Sequence, residues 1–345
     1  MDELKMDKFL WVMFWWAIWD AFWAPVEFIA EWCFEPVDTK EWRIWLMKFW
    51  KDFWDRTDDT AMALLLADSL VRSWWSDVVD QLENYLKRKE SWHMWLKDYP
   101  EWIGKQVRIM LNHYIDYKNH WWEEPRTKDL SWQMMDWNWS LMRIWPVPLY
   151  FYDNAKEALK WASESSITTH NSDLCIDSCI YYTWLIWWAI HGVSKEELMK
   201  WFYYPVKWYW EFRDISNDFW RIVNWDFKKK ESNQIIPSWY VIDSLETALW
   251  WFYHSTCFED WLKMVVDKWW DADTTACIYW YLAWGYYWYD SIPEYLKQWV
   301  SAKDFIRHTA EELYNHEYKE YDLSKVKSVI PWDHETRTWT NVLED

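Results

Sequence analysis

Two short acidic motifs hold the residues best suited to chemistry: Thr57-Asp58-Asp59-Thr60 and Asp271-Ala272-Asp273-Thr274-Thr275. Each stands directly before an apolar, helix-like run, 61–67 after the first and 276–279 after the second. A helix N-terminus presents unpaired N–H groups and a positive dipole end, so it tolerates clustered carboxylates. Two such ends facing each other would offer only oxygen ligands, the set that hard divalent cations such as Mg²⁺ or Mn²⁺ take. Thr and Asp before an apolar run also serve as ordinary N-caps. Adjacent Asp58 and Asp59 exceed what one cap needs, and a second cluster of the same composition points the same way.

The elements that must position these motifs read as helices. Apolar residues recur at three- and four-residue spacing over 61–73, 77–88, 104–117, 155–163, 174–191, 195–203, 243–254, 258–268, 275–288 and 303–314. Asp153-Asn154 and Ser194-Lys195 read as helix starts and Gly192 as a C-cap. Pro146 and Pro148 predict an extended or kinked passage, and Pro237 a break before another helix. No repeat, low-complexity segment or Ser/Gly linker divides the chain. The expectation is one compact all-α domain over 1–345, with a charged tail from Glu317 onward wrapping the surface.

Composition narrows the function. The 345 residues are 52% hydrophobic, enough for a sizeable core. A net charge of −19 leaves no basic field for nucleic acid or an anionic membrane surface. The one basic run, Lys228-Lys229-Lys230, reads as a solvated turn. The apolar stretch 9–19 is about half of what spans a bilayer, and Asp20, Pro25 and Glu27 interrupt its continuation. Five cysteines without a CxxC pair predict buried thiols in a reducing, cytoplasmic setting.

The abnormality is 42 Trp against 3 Gly, where average usage would give about 24 Gly. Trp stands at turn-like positions in Trp137-Asn138-Trp139, Asn224-Trp225-Asp226 and Trp269-Trp270, and is scattered along the whole length. The pattern reads as an altered or designed sequence with Trp at former glycine sites.

Six motifs fall into an order. They are 18–28 (Ile18-Trp19-Asp20 through Pro25-Val26-Glu27), 57–64, Trp137-Asn138-Trp139-Ser140-Leu141-Met142-Arg143, Ser166-Ile167-Thr168-Thr169-His170, Trp239-Tyr240-Val241-Ile242-Asp243-Ser244-Leu245-Glu246, and 271–275. With glycine restored at the Trp positions, this order resembles the ADP-ribosylglycohydrolase family, which includes the dinitrogenase reductase-activating glycohydrolase. The resemblance runs from about residue 10 to residue 297. It implies a compact, orthogonal multi-helix all-α fold and two divalent cations, Mg²⁺ or Mn²⁺. It also implies hydrolysis of the glycosidic bond between ADP-ribose and an acceptor.

By resemblance, Thr57, Asp58 and Asp59 would hold one side of the metal pair, and Asp271, Asp273 and Thr274 the other. Glu27 would take the acid/base role, with Asp59 and Asp273 catalytic beside it. Asn138 and Ser140 match a loop whose backbone N–H groups bind the diphosphate, His170 the ribose side and Tyr240 the adenosine end. Expected partners are ADP-ribose or an ADP-ribosylated protein, with no nucleic-acid groove and no membrane. This chemistry is coherent in itself. Glycoside cleavage usually needs carboxylates on both sides of the bond, and bound metals can clamp hydroxyls and acidify a water.

Simpler roles exist for most of these positions. Glu27 could be a helix-surface carboxylate, His170 a cap for the helix starting near Ser172, Tyr240 a core residue and Asn138 a turn residue. Asp80 reads as a carboxylate supporting the metal ligands from behind or as a helix start. Indoles at 137 and 139 would crowd a loop where backbone must approach phosphate. The competing reading is therefore a non-catalytic ADP-ribose binder or structural relative, or an altered sequence on this scaffold.

Overall fold

A computed structural model describes residues 5–10, 12–14, 58–73, 77–91, 105–120, 135–199, 216–256, 271–283, 303–319, 332–333 and 338–339. The helices in chain order are α1 (Asp58–Ser73), α2 (Val78–Ser91), α3 (Lys105–His120), α4 (Pro146–Tyr150), α5 (Ala155–Ile167) and α6 (Asp173–Ile190). They continue with α7 (Lys195–Leu198), α8 (Trp220–Val223), α9 (Val241–His254), α10 (Ala272–Ala283) and α11 (Lys303–Asn315). Residues 5–10 and 12–14 are also helical. The described β structure is one antiparallel ladder, Trp332 opposite Trp339 and Asp333 opposite Thr338, and one isolated bridge, Trp137 with Tyr240. The all-α expectation stands, with that small ladder added in the tail.

One continuous apolar cluster runs through the described residues from Phe9 to Leu313. Its axis is α6, which is apolar on nearly every side and buried except at Asp173, Trp187 and Trp188. A helix hydrophobic all round must be enclosed by others. Here α5 covers one side, with α4 and α9 adjoining. α9 in turn lies along α10, and α1 packs against α2, α4 and α11.

The helix ends follow local chemistry. Ser172 caps α6 by accepting the Cys175 N–H at 3.1 Å. That role had been one reading of His170, and the hydroxyl fills it instead. Asn154 caps α5, and Ser194 forms a capping box with Glu197. Gly192, at φ +84°, ends α6: its N–H reaches the Ala189 carbonyl, and the Val193 N–H reaches that of Trp188. Those two bonds satisfy carbonyls the helix leaves open, and the left-handed backbone they require suits glycine.

Two expectations need correction. Pro146 and Pro148 open α4 instead of imposing an extended passage. First-turn N–H groups have no intrahelical acceptor, so proline forfeits nothing there. The run Lys228-Lys229-Lys230 is not a solvated turn throughout. Lys228 Nζ donates to the Met199 carbonyl and sits 3.8 Å from the Trp225 ring centre. Lys230 Nζ bonds both Glu246 oxygens at 2.6 and 2.7 Å, with Glu246 buried.

Trp225 adopts φ 61°, ψ 31°, the left-handed region. Trp137 does not; its backbone is extended at φ −94°. Strain at Trp225 costs about 1–2 kcal/mol. Trp225 is also buried, with its ring 5.5 Å from that of Phe227, and losing such an indole costs about 3–5 kcal/mol. Burial outweighs strain. Trp225→Gly is therefore expected to lower stability by about 2 kcal/mol in urea unfolding, although glycine is the residue that backbone favours.

Candidate active site

The 3-10 segment Asn138–Arg143 is the hub of the candidate site. It packs against α1, α6, α9 and α10, so the helices that carry the two acidic motifs rest on the same six residues. The segment enters through a short pairing with the loop before α9. Asn138 donates its N–H to the Trp239 carbonyl at 3.0 Å, and Val241 donates to that of Asp136 at 2.8 Å. Pro237 leaves its carbonyl to the Asp271 N–H at 3.1 Å, which seats the start of α10 on the same loop.

Asn138 is the side chain that ties these pieces together. It is fully buried, and its Nδ2 donates to Asp271 Oδ2 and to Ser244 Oγ, the latter at 2.7 Å. Ser244 passes its own proton to the Ser238 carbonyl at 2.7 Å. A buried carboxylate needs donors to offset lost hydration, and Asn138 supplies one to Asp271. The backbone role expected of Asn138 meets a competitor, because its N–H is already spent on Trp239. Ser140 is buried too, with its hydroxyl 3.0 Å from Ser166 Oγ and 3.5 Å from Cys179 Sγ.

Asp59 lies at the N-terminus of α1, and Asp271 and Thr274 lie at that of α10; all three are buried. Thr57 and Glu27 lie outside the described residues, as do the side chains of Asp58 and Asp273. Among the described residues, no group of three or more His, Cys, Asp or Glu could hold a metal ion. The donors that are described nevertheless fit a hard cation: two buried carboxylates, the Thr274 hydroxyl, and Thr275 Oγ1, which is buried with no hydrogen-bond partner.

His170 is buried and ends the turn after α5. Its Nδ1 lies 2.8 Å from Thr169 Oγ1, and Trp139 meets its ring edge-on at 6.0 Å. Burial, reinforced by the nearby Arg143 charge, holds its pKa well below the ordinary histidine value. The imidazole is neutral at pH 7. Tyr240 is half-buried beside the core, and its hydroxyl donates to Asp218 Oδ2 at 2.6 Å. Burial first, then that bond and the Asp218 charge, push the phenol pKa upward. The thiols of Cys175 and Cys179 are buried on α6. Burial raises both, Cys179 to about 11, which leaves them un-ionised and inert.

Arg143 and Ser244 received no role in the sequence reading. Arg143 is fully buried, and its guanidinium donates to the Trp139 and Ser165 carbonyls and to the hydroxyls of Thr168 and Thr169. A readable signal existed: one charge inside the apolar run Leu141-Met142-Arg143-Ile144-Trp145. Ser244 had no such signal, since a serine in a helix is ordinary. Asp80 turns out to lie in the first turn of α2, where it pairs with Arg72 at 2.6 Å and ties α2 to α1.

This arrangement has relatives. An ADP-ribosylglycohydrolase family model matches residues 2–323. ADP-ribosylarginine hydrolase Tri1 of Serratia proteamaculans (strain 568) is 24% identical over 265 residues, covering 75% of this chain and 66% of that protein. Its namesake in Pseudomonas putida (strain GB-1) is 27% identical over 266 residues, with the same coverage of both. The chain thus spans 66% of the length of these two relatives. ADP-ribosyl-[dinitrogen reductase] glycohydrolase of Rhodospirillum rubrum is 25% identical over 252 residues, 72% of this chain and 73% of that protein. A solved ADP-ribosylglycohydrolase-related protein complex superposes with a TM-score of 0.71 at 25% identity, covering 92% of this chain and all of that one. With that model spanning most of the chain, from residue 2 to residue 323, the chain belongs to the ADP-ribosylglycohydrolase family.

Proposed function

We propose that this protein is a metal-dependent hydrolase that cleaves the glycosidic bond between ADP-ribose and an acceptor, an arginine side chain of a modified protein first among them. The observation that supports this most is the junction of Asn138 with Asp271, which draws the central loop and the second acidic motif into one buried polar centre. The names of the relatives supply the substrate class.

In this reading Thr57, Asp58 and Asp59 would hold one divalent cation, and Asp271, Asp273 and Thr274 would hold a second. Bound Mg²⁺ or Mn²⁺ would polarise ribose hydroxyls and lower the pKa of a coordinated water. Asn138 fixes the Asp271 carboxylate in one orientation. Glu27 serves as the acid/base group, and Asp59 and Asp273 complete the catalytic carboxylates. His170, Ser140 and Tyr240 line the nucleotide-sugar side. The proposed site of action is cytoplasmic; no helix of the described residues is long and apolar enough to cross a membrane.

The test is release of ADP-ribose from an ADP-ribosylated arginine protein. Activity is expected to vanish after exhaustive EDTA treatment and to return with Mn²⁺ or Mg²⁺; full activity in the chelated protein would refute metal dependence. One feature favours the second reading, a binder that turns over poorly. Trp137 and Trp139 flank Asn138 with ring centres 4.8 Å apart, and Trp139 also abuts His170. Calorimetric binding of Mn²⁺ and ADP-ribose without turnover would select it.

A further inference from the structure

Arg143, Thr169 and His170 form a chain of buried polar contacts that ends on an atom with nothing to bind. Arg143 Nη2 donates to Thr169 Oγ1 at 2.6 Å, and Thr169 Oγ1 lies 2.8 Å from His170 Nδ1. None of the three residues is more than 1% exposed. His170 Nε2 is buried and has no hydrogen-bond partner among the described residues.

Proton accounting points to one tautomer. A threonine hydroxyl has one proton to give, and a guanidinium has no lone pair to receive it. Among the described residues, of the two groups within hydrogen-bond reach of Thr169 Oγ1, only His170 Nδ1 can accept. Nδ1 therefore carries no proton, and the ring N–H lies on Nε2. The opposite tautomer would spend both Thr169 lone pairs on donors and leave the hydroxyl proton without an acceptor; in the Nε2–H tautomer the unmatched donor is instead the ring N–H itself. Thr168 shows the same logic next door: it accepts from Arg143 Nη2 at 3.1 Å and donates to the Ser165 carbonyl at 2.6 Å. Ser166 holds the backbone of this turn, since its carbonyl takes the N–H groups of Thr169 and His170 at 3.1 and 2.7 Å. Its hydroxyl reaches the His170 carbonyl at 2.9 Å. The doubly protonated ring is disfavoured by burial and by the guanidinium charge.

We propose that Arg143 and Thr169 are positioning residues that lock His170 in the Nε2–H tautomer, so that it offers one hydrogen-bond donor to an oxygen of the bound ADP-ribosyl group. The proposal rests on the reading above, in which His170 lines the nucleotide-sugar side. Neither Arg143 nor Thr169 needs to touch substrate. A phosphate or ring-ether oxygen, which only accepts, would meet a donor in this tautomer and a repelling lone pair in the other.

The tautomer can be read directly. In protein labelled with ¹⁵N-histidine, the His170 signals are assigned by difference with His170→Gln. The expected spectrum shows Nδ1 without a proton and Nε2 with one. A proton on Nδ1 overturns the proposal, whatever any variant does. Thr169→Val keeps the shape and removes the hydroxyl; it is expected to mix or invert the tautomer and weaken ADP-ribose binding about tenfold, with Thr169→Ser restoring both. A folded Thr169→Val protein with an unmoved tautomer also overturns it. If the unaltered protein shows the Nε2–H form but fails to bind ADP-ribose, the proposed function falls and the tautomer assignment stands.

Discussion

Replacing Asp271 by alanine is expected to lower ADP-ribose release by about a thousandfold or more, while the protein still unfolds cooperatively. Two consequences add. The change removes a buried carboxylate from the proposed cation site, and it strips Asn138 Nδ2 of one of its two acceptors, leaving Ser244 Oγ. The structural part of that loss is about 1–3 kcal/mol, within what a stable domain survives. The main-chain bond from residue 271 to the Pro237 carbonyl does not depend on the side chain. The two effects are therefore separable: turnover collapses, and the urea midpoint falls modestly. An Asp271→Ala protein that hydrolyses at the unaltered rate would remove Asp271 from the site.

The largest stability effect is expected at Arg143. Arg143→Met keeps the volume and deletes a guanidinium that serves two carbonyls and two threonine hydroxyls. Bonds from a charged donor contribute about 1.5–3 kcal/mol each, but they are not additive, and removing the charge also removes its desolvation cost. The net expectation is a loss of about 3–5 kcal/mol in urea unfolding, because the acceptors are left buried and under-bonded. Arg143→Lys should recover only part of it, since one ammonium cannot span the fork that reaches from Trp139 to Thr169. A loss below 1 kcal/mol would show that the network is not as the structure draws it.

Much of the helical framework was legible from periodicity and caps. Ser194 followed by Glu197, Asn154 before α5, and Gly192 after α6 each name a backbone group that must be satisfied locally, so their signals survive without tertiary information. Prolines 146 and 148 misled because the same residue that breaks a helix interior suits its first turn, and only the start position tells the two apart. The lysine run misled for another reason. Whether a lysine is solvated depends on what faces it, and Glu246 lies 16 residues further along the chain from Lys230.

The residue types of the proposed site can be read in the sequence, but its wiring cannot. Asp59, Asp271 and Thr274 stand out as acidic or hydroxyl residues at helix starts, and all three are buried, as ligands would be. That Asn138 works through its side chain on Asp271 joins positions 133 residues apart, which no local pattern encodes. The same holds for Arg143 and Thr169, 26 residues apart, whose contact passes from the hub to the turn that carries His170. Among the described turn positions that carry Trp, Trp225 is left-handed and Trp137 is extended. The indole N–H groups of Trp161, Trp225 and Trp251 are buried without acceptors, a cost that native tryptophans usually avoid.

The most direct measurement follows Mn²⁺ by electron paramagnetic resonance as it is titrated into metal-free protein, for the unaltered chain, Asp59→Ala and Asp271→Ala. Two spin-coupled Mn²⁺ per chain are expected, with loss of that coupled signal in either variant, as the proposed centre shared by both acidic helix starts requires. Unchanged binding in Asp59→Ala, or two uncoupled ions lost independently, would contradict it.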